Sequence, residues 1–190
     1  TTASMMAAII HMRPGLIGRA ADDFPALSAA MNDAMFGNSG AKAAIEMASH
    51  DAVARAAGRP LYTLFGDRRR SRIPVLAVIG STDQAADLSE ARERWAAGYR
   101  AFKIKVGLAS PEADAARTQD VCRLLKSQGE PCLVSADANQ GFGVDEALRY
   151  VAGLADCGLD FFEQPVRAEN LDGMARIAAA NKVPIGADEG

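Results

Sequence analysis

The sequence is poor in cysteine. Cys122, Cys132 and Cys157 are the only three among 190 residues, and they form an odd, scattered set without metal-ligand spacing. They read as buried thiols of a protein kept in a reducing cytoplasm. Charge of one sign is also lacking, because 21 Lys and Arg face 24 Asp and Glu for a formal net charge of −3. The one basic run, Arg68-Arg69-Arg70 with Arg72, is too short to make an electrostatic footprint, so nucleic acid is not an expected partner. No stretch approaches the roughly 18 apolar residues that a membrane span needs. The opening Thr-Thr-Ala-Ser-Met-Met lacks the basic start of a signal peptide, so a membrane is not expected either. A Gly-rich phosphate turn is missing too: Ile79-Gly80-Ser81-Thr82 is not G-x-G-x-x-G. What remains is ordinary, with 49% hydrophobic and 24% charged residues, which excludes disorder.

Two regimes meet near Ile73. Upstream, Asp22 to Phe36 and about Ser39 to Ala57 carry helical patterning, stopped by Gly37-Asn38 and by Gly58 with Pro60. Leu61 to Phe65 reads as a short apolar turn, and Met5 to Ile10 fits either a strand or the start of a helix. Downstream, strand candidates at Ile73–Ile79, Ala101–Val106, Leu133–Ala136, Asp160–Glu163 and Val183–Ala187 alternate with helical stretches near Asp83–Gly98, Pro111–Ser127, Val144–Cys157 and Asn170–Asn181. That alternation predicts successive parallel βα units, so the class is α/β. A doubly wound open sheet and a (β/α)₈ barrel both fit, and the missing phosphate turn favours the barrel.

Charge at the strand ends carries the chemistry. Lys103 and Lys105 share one face of the second strand and Ile104 takes the other, since side chains alternate. Asp137, Glu163 and Asp188, with Glu189 beside it, stand at or just past the ends of the next three strands. The C-terminal strand ends are where barrels build active sites. Neighbouring parallel strands lie about 4.8 Å apart, so these carboxylates should converge within a few ångströms. Acids that close repel one another, and an oxygen-preferring cation such as Mg²⁺, Mn²⁺ or Ca²⁺ would neutralise them.

These residues, in the runs Phe102-Lys103-Ile104-Lys105-Val106-Gly107, Asp137-Ala138-Asn139, Phe162-Glu163-Gln164-Pro165 and Ala187-Asp188-Glu189, resemble the enolase superfamily, and within it the muconate-lactonizing (cycloisomerase) subgroup. Upstream, Ala41-Lys42-Ala43-Ala44-Ile45-Glu46-Met47-Ala48, Asp51, Pro60-Leu61 and Leu64-Phe65-Gly66 are similar to the helix and turn that end that family's capping domain. Ser49 and Phe162 depart from the usual aliphatic residues without touching the chemistry.

The resemblance implies the helical part of an α+β capping domain over residues 1–72, and the first five βα units of a TIM-like (β/α)₈ barrel over residues 73–190. By position, Asp137, Glu163 and Asp188 correspond to ligands of Mg²⁺, with Mn²⁺ as a substitute. Lys105 corresponds to the base that takes the proton α to a substrate carboxylate, giving a metal-stabilised enediolate, and Lys103 to its assistant. A lysine at its ordinary pKa of about 10.4 is a poor base at neutral pH, and a neighbouring ammonium and a divalent cation would lower it. The resemblance implies a lysine base paired with Mg²⁺, the arrangement characteristic of this superfamily. Asn139 and Gln164 are expected to support the metal shell or the substrate. Glu189 is expected to face away.

The implied activity is a cycloisomerase, a racemase or epimerase, or a dehydratase acting on a small carboxylate. The expected context is a cytoplasmic homo-oligomer. A barrel takes about 200–250 residues, so the chain reads as a fragment truncated at both ends and inactive by itself. A non-catalytic scaffold is the alternative, but it has no reason to keep two lysines beside a cation. A phosphate-processing Mg²⁺ enzyme on an open sheet would need an Asp directly after the first strand, and Asp83 comes late. Elsewhere, His50 reads as a packing or capping residue and His11 has no assigned place. Trp95 and Tyr99 read as helix–sheet packing, and Phe142 and Gly143 as loop residues able to line the pocket.

Overall fold

A computed structural model of the chain describes residues 1–154, 156–180 and 183–190. Two compact units form, Thr1–Arg72 and Ile73–Gly190. The first is helical. Helix α1 (Thr2–Leu16) opens on a Thr1 side chain that accepts the Ser4 N–H, and so settles the ambiguous start of the chain as helix. Helices α2 (Phe24–Ala34) and α3 (Ser39–Ala56) follow, α2 capped by Asp23, whose Oδ1 accepts the Ala26 N–H at 3.1 Å. Ala8, Met12, Met31 and Ala41 form their small core. His50 packs, as its place on an apolar helix suggests: its ring stacks between Phe24 and Phe65, at centroid distances of 3.6 and 5.2 Å. His11 Nε2 lies 3.2 Å from the Ala34 carbonyl oxygen.

The second unit is one sheet of five parallel strands, β1 (Ala77–Ile79), β2 (Ala101–Lys105), β3 (Leu133–Asp137), β4 (Phe161–Glu163) and β5 (Ile185–Gly186). Helices α4 (Gln84–Ala96), α5 (Pro111–Lys126), α6 (Val144–Gly153) and α7 (Leu171–Ala180) connect them in turn. The strand order is sequential, 1-2-3-4-5. A doubly wound sheet reverses its order at a switch point, so the arrangement is that of consecutive barrel strands.

Alternation divides the sheet. Phe102, Ile104, Val134, Ala136 and Phe162 point to one face and are fully buried with Val121, Leu125, Tyr150 and Ile177 of the helices. Each large apolar side chain removed from water in this way contributes about 1.5–3 kcal/mol. Phe142 belongs to this core rather than to a pocket wall, with ring centroids 5.5 Å from Tyr150 and 6.3 Å from Phe162. Gly143 is the N-cap of α6, its N–H donating to Glu146 Oε2 at 2.8 Å. Trp95 stacks 6.2 Å from Phe102, and Tyr99 also packs on the core. Cys122 and Cys157 are buried thiols, and Cys132 is half-buried.

Two strands are much shorter than the sequence suggests, and β2 and β4 each lose a single terminal residue. Ala77 pairs with Phe102, so Ile73 to Val75 would lie opposite Gly98 to Arg100, the turn that leaves α4. With nothing to pair against, and with Pro74 lacking an N–H, they stay exposed, Ile73 at 78% and Val75 at 62%. β5 is limited by its three-residue neighbour β4. Helix α6 ends at Gly153, short of the expected Cys157, and the expected end of α7 at Asn181 lies outside the described residues. Among the described residues no helix is long and apolar enough to cross a membrane.

Candidate active site

Register sets the site. Lys105 pairs with Asp137, Asp137 with Glu163, and Glu163 with Gly186, so one row crosses four strands at their C-terminal ends. Lys103 lies one pleat below Lys105 on the same face, while Ile104 is buried on the other. The Lys105 ammonium donates to Asp137 Oδ2 at 2.6 Å and also to Asn139 Oδ1. The Lys103 ammonium bridges two acids, lying 2.7 Å from Glu163 Oε1 and 3.3 Å from Asp137 Oδ2.

Burial and pairing compete at Asp137, whose side chain is 1% exposed. Burial alone would raise its pKa, but the Lys105 ammonium, the Asn139 N–H and Lys103 outweigh that and hold the carboxyl below its ordinary range. At Lys103 burial disfavours the charge, but the hydrogen bonds and charges of Glu163 and Asp137 prevail and raise its pKa.

The loops beyond the strands are shaped by left-handed residues. Asn139 has φ 42° and its N–H donates to Asp137 Oδ1 at 2.8 Å, a local turn that suits asparagine. Gln164, at φ 37° and fully buried, accepts the N–H groups of Asp188 and Glu189 on its Oε1, at 2.9 and 3.1 Å. Its amide donates to the Val166 carbonyl at 2.9 Å. Gln164 thereby holds the segment bearing Asp188 at the same end of the sheet. Asp188 itself is exposed, two residues past β5. Glu189 departs from the expected orientation: its Oε1 accepts from Asn139 Nδ2 at 3.3 Å. Strand alternation does not govern it, because β5 ends at Gly186.

The structure thus joins Lys103, Lys105, Asp137, Glu163 and Asn139 directly, and ties Asp188 to them through Gln164. Among the described residues no three His, Cys, Asp or Glu side chains are grouped closely enough to hold a metal ion. Even so, the donors are of the right kind for Mg²⁺ or Mn²⁺. One cationic group, the Lys103 ammonium, already touches oxygens of both Asp137 and Glu163, and all the candidate donors are carboxylates.

Sequence reasoning missed one cluster. Asp87, Asp114 and Arg117 are buried beside the ends of β1 and β2. Asp87 and Asp114 lie in the first turns of α4 and α5, where acids are favoured by the helix dipole, and Arg117 follows Asp114 by three residues. Such spacing reads as a solvated helix face, so it carries no signal of burial.

Comparison with known proteins bears on the whole chain. Residues 2–66 match the family model "Mandelate racemase / muconate lactonizing enzyme, N-terminal domain", and residues 86–190 match "Enolase C-terminal domain-like". A chloromuconate cycloisomerase of Cupriavidus necator is 34% identical over 94% of this chain and 48% of its own length. The L-Ala-D/L-Glu epimerase of Bacillus subtilis (strain 168) is 33% identical over 98% of this chain and 50% of its own. The crystal structure of a muconate lactonizing enzyme from Klebsiella pneumoniae matches 98% of the chain and 51% of its own, at 34% identity and a TM-score of 0.86. That of a 2-chloromuconate cycloisomerase from Rhodococcus opacus 1CP matches at 35% identity and 0.84, covering 100% of this chain and 52% of its own. The chain spans about half the length of the curated relatives it matches.

Proposed function

The chain belongs to the mandelate racemase / muconate lactonizing enzyme family, and from that premise we propose that it carries the proton-abstracting, metal-binding half of an isomerase site for a small carboxylate. The observation that supports this reading is the row of Lys105, Asp137 and Glu163 across adjacent strands, with Lys103 beneath it on the same face. Residues 1–72 are read as part of the capping domain and 73–190 as the first part of the barrel.

In this reading Lys105, as the neutral amine, takes the proton from the carbon next to the substrate carboxylate. The C–H bond breaks, the proton goes to Nζ, and the electron pair moves toward the carboxylate oxygens. Asn139 Oδ1 and Asp137 Oδ2 receive the ammonium that results, along hydrogen bonds already made. Lys103 keeps its positive charge beside the reacting group. Asp137, Glu163 and Asp188 would hold Mg²⁺ or Mn²⁺, which when bound supplies positive charge opposite the charge that develops on the substrate. Gln164 anchors the Asp188 segment.

The substrate classes to try are those in the names of the relatives: muconate, chloromuconate and L-Ala-D/L-Glu. In the full-length protein with Mg²⁺ in D₂O, the α-hydrogen of the Glu residue in L-Ala-L-Glu or L-Ala-D-Glu should exchange. With muconate the step runs in reverse, the distal carboxylate adding to the double bond and the Lys105 ammonium giving its proton to the carbon next to the other carboxylate. The lactone should therefore carry solvent deuterium there. Lys105→Ala should lower these rates by about 10²–10⁴-fold. Both dipeptide epimers are needed, since a second base on the opposite face would exchange one of them. Exchange retained with both epimers removes Lys105 as the base.

A further inference from the structure

Lys105 is held from below as well as from its tip. Its carbonyl oxygen accepts a hydrogen bond from Arg117 Nη2 at 2.7 Å, and the same nitrogen donates to Asp114 Oδ1 at 2.7 Å. The other terminal nitrogen, Nη1, donates to Asp87 Oδ2. Neither acid stops there. Asp114 Oδ2 accepts the N–H groups of Gly107 at 2.8 Å and of Leu108 and Ala109 at 3.3 Å each, the whole turn after β2. Asp87 Oδ1 accepts both the N–H and the hydroxyl of Ser81, at 2.8 and 2.6 Å, in the turn after β1. One guanidinium therefore ties the last residue of β2 to two loops at the C-terminal end of the sheet.

These ions are costly to bury. Asp87 and Asp114 are fully buried and Arg117 is 4% exposed. Apolar residues of similar volume commonly serve stability as well or better than a buried ion pair or triad. What a forked cation adds is direction, because its donors are fixed in one plane and match carboxylate and carbonyl oxygens at set angles.

We propose that Arg117, set by Asp87 and Asp114, is a positioning residue for Lys105: it fixes the peptide plane from which the base side chain departs. The inference rests on the reading of Lys105 as the base. It assigns Arg117 no contact with substrate.

The test uses the full-length protein with Arg117→Lys, which keeps the charge but loses the fork, and Asp114→Asn, a near-isosteric change that serves if Arg117→Lys does not fold. Turnover of L-Ala-L-Glu or muconate is measured well below each variant's melting temperature. Displacement of a base by about 1 Å costs up to ~10²-fold, so kcat should fall about 10–100-fold with KM within about twofold. A readout free of substrate accompanies it: competitive acetylation, read by mass spectrometry as the ratio of Lys105 to Lys42 labelling, should change in the variants. If the wild type turns over neither probe, that ratio decides alone. A lowered melting temperature with unchanged kcat, or with an unchanged labelling ratio, overturns the proposal and leaves the cluster a stability element. If Lys105→Ala keeps α-proton exchange, the base assignment itself fails. If Lys105→Ala is inactive and Arg117→Lys is normal, only the positioning role fails.

Discussion

Gly80 and Lys105 are in close approach: a Cβ built on Gly80 would sit 2.9 Å from the Lys105 Cβ and 3.2 Å from its Cγ. The backbone of Gly80 lies outside the left-handed region, so an alanine there meets the lysine stem and no conformational strain of its own. Gly80→Ala should cost some stability, because the Lys105 Cβ is fixed to β2 and must give way, and it should displace the lysine that the row across the sheet presents. In the full-length protein the expected loss in kcat is about 10–100-fold, with Mg²⁺ affinity unchanged by calorimetric titration. Full activity in Gly80→Ala would mean that the position of the Lys105 stem is not critical.

Asp137 answers to two ammonium groups and is the most enclosed of the candidate ligands. Asp137→Asn should weaken Mg²⁺ or Mn²⁺ binding, measured by titration, and abolish turnover as a result. It should also destabilise the metal-free protein in urea by about 1–3 kcal/mol, because Lys103 and Lys105 then lose their shared counter-charge. Unchanged metal affinity would remove Asp137 from the ligand set.

Asp87 gives a dependence on acid. Burial pushes its pKa up, but the Ser81 hydroxyl and N–H and the Arg117 guanidinium overcome this and leave it below its ordinary value. Unfolded, the group titrates near 3.9. The stability it adds is therefore complete above about pH 4 and is lost as the pH falls through its lower folded value. Urea melts between about pH 2 and 6 should show Asp87→Asn with a shallower loss of stability on acidification than the wild type. Parallel curves would mean that Asp87 titrates alike in both states.

Tyr150 and Phe162 separate polar from apolar contributions in the core. The Tyr150 hydroxyl donates to Thr118 Oγ1 at 3.0 Å with no solvent access. Tyr150→Phe should cost about 0.5–1.5 kcal/mol in urea denaturation, the net worth of one such bond. Phe162→Ala, which empties space against Phe142 and Tyr150, should cost about 3–5 kcal/mol. Equal costs would contradict this picture of the core.

How far the sequence could be read follows from which forces are local. Lys-x-Lys beside an apolar partner obeys a two-residue period, so the face of Lys103 and Lys105 was legible, and so were helices α4 and α5, read from patterning near Asp83–Gly98 and Pro111–Ser127. The limits of β1 were not, because they depend on where β2 starts, and that is a matter of pairing rather than of Ile73 or Val75. The gathering of Asp137 and Glu163 on the Lys103 ammonium follows from register. The exposed place of Asp188 depends on a segment past the ladder that Gln164 and Asn139 hold by side-chain hydrogen bonds. Arg117 was illegible for a different reason: a charged side chain on an amphipathic helix looks the same from sequence whether it meets water or two buried acids.

Strand β2 keeps its two obligations on separate residues. Phe102 and Ile104 are fully buried against the helices, while Lys103 and Lys105 stand on the opposite face with the acids. Selection can therefore act on one set without disturbing the other. In a library randomised across residues 101–106 of the full-length protein, changes at 102 and 104 should register mainly as lost abundance, and changes at 103 and 105 as a loss of turnover larger than their loss of abundance. The chemistry of this strand accordingly rests on its odd positions while the even ones specify the fold.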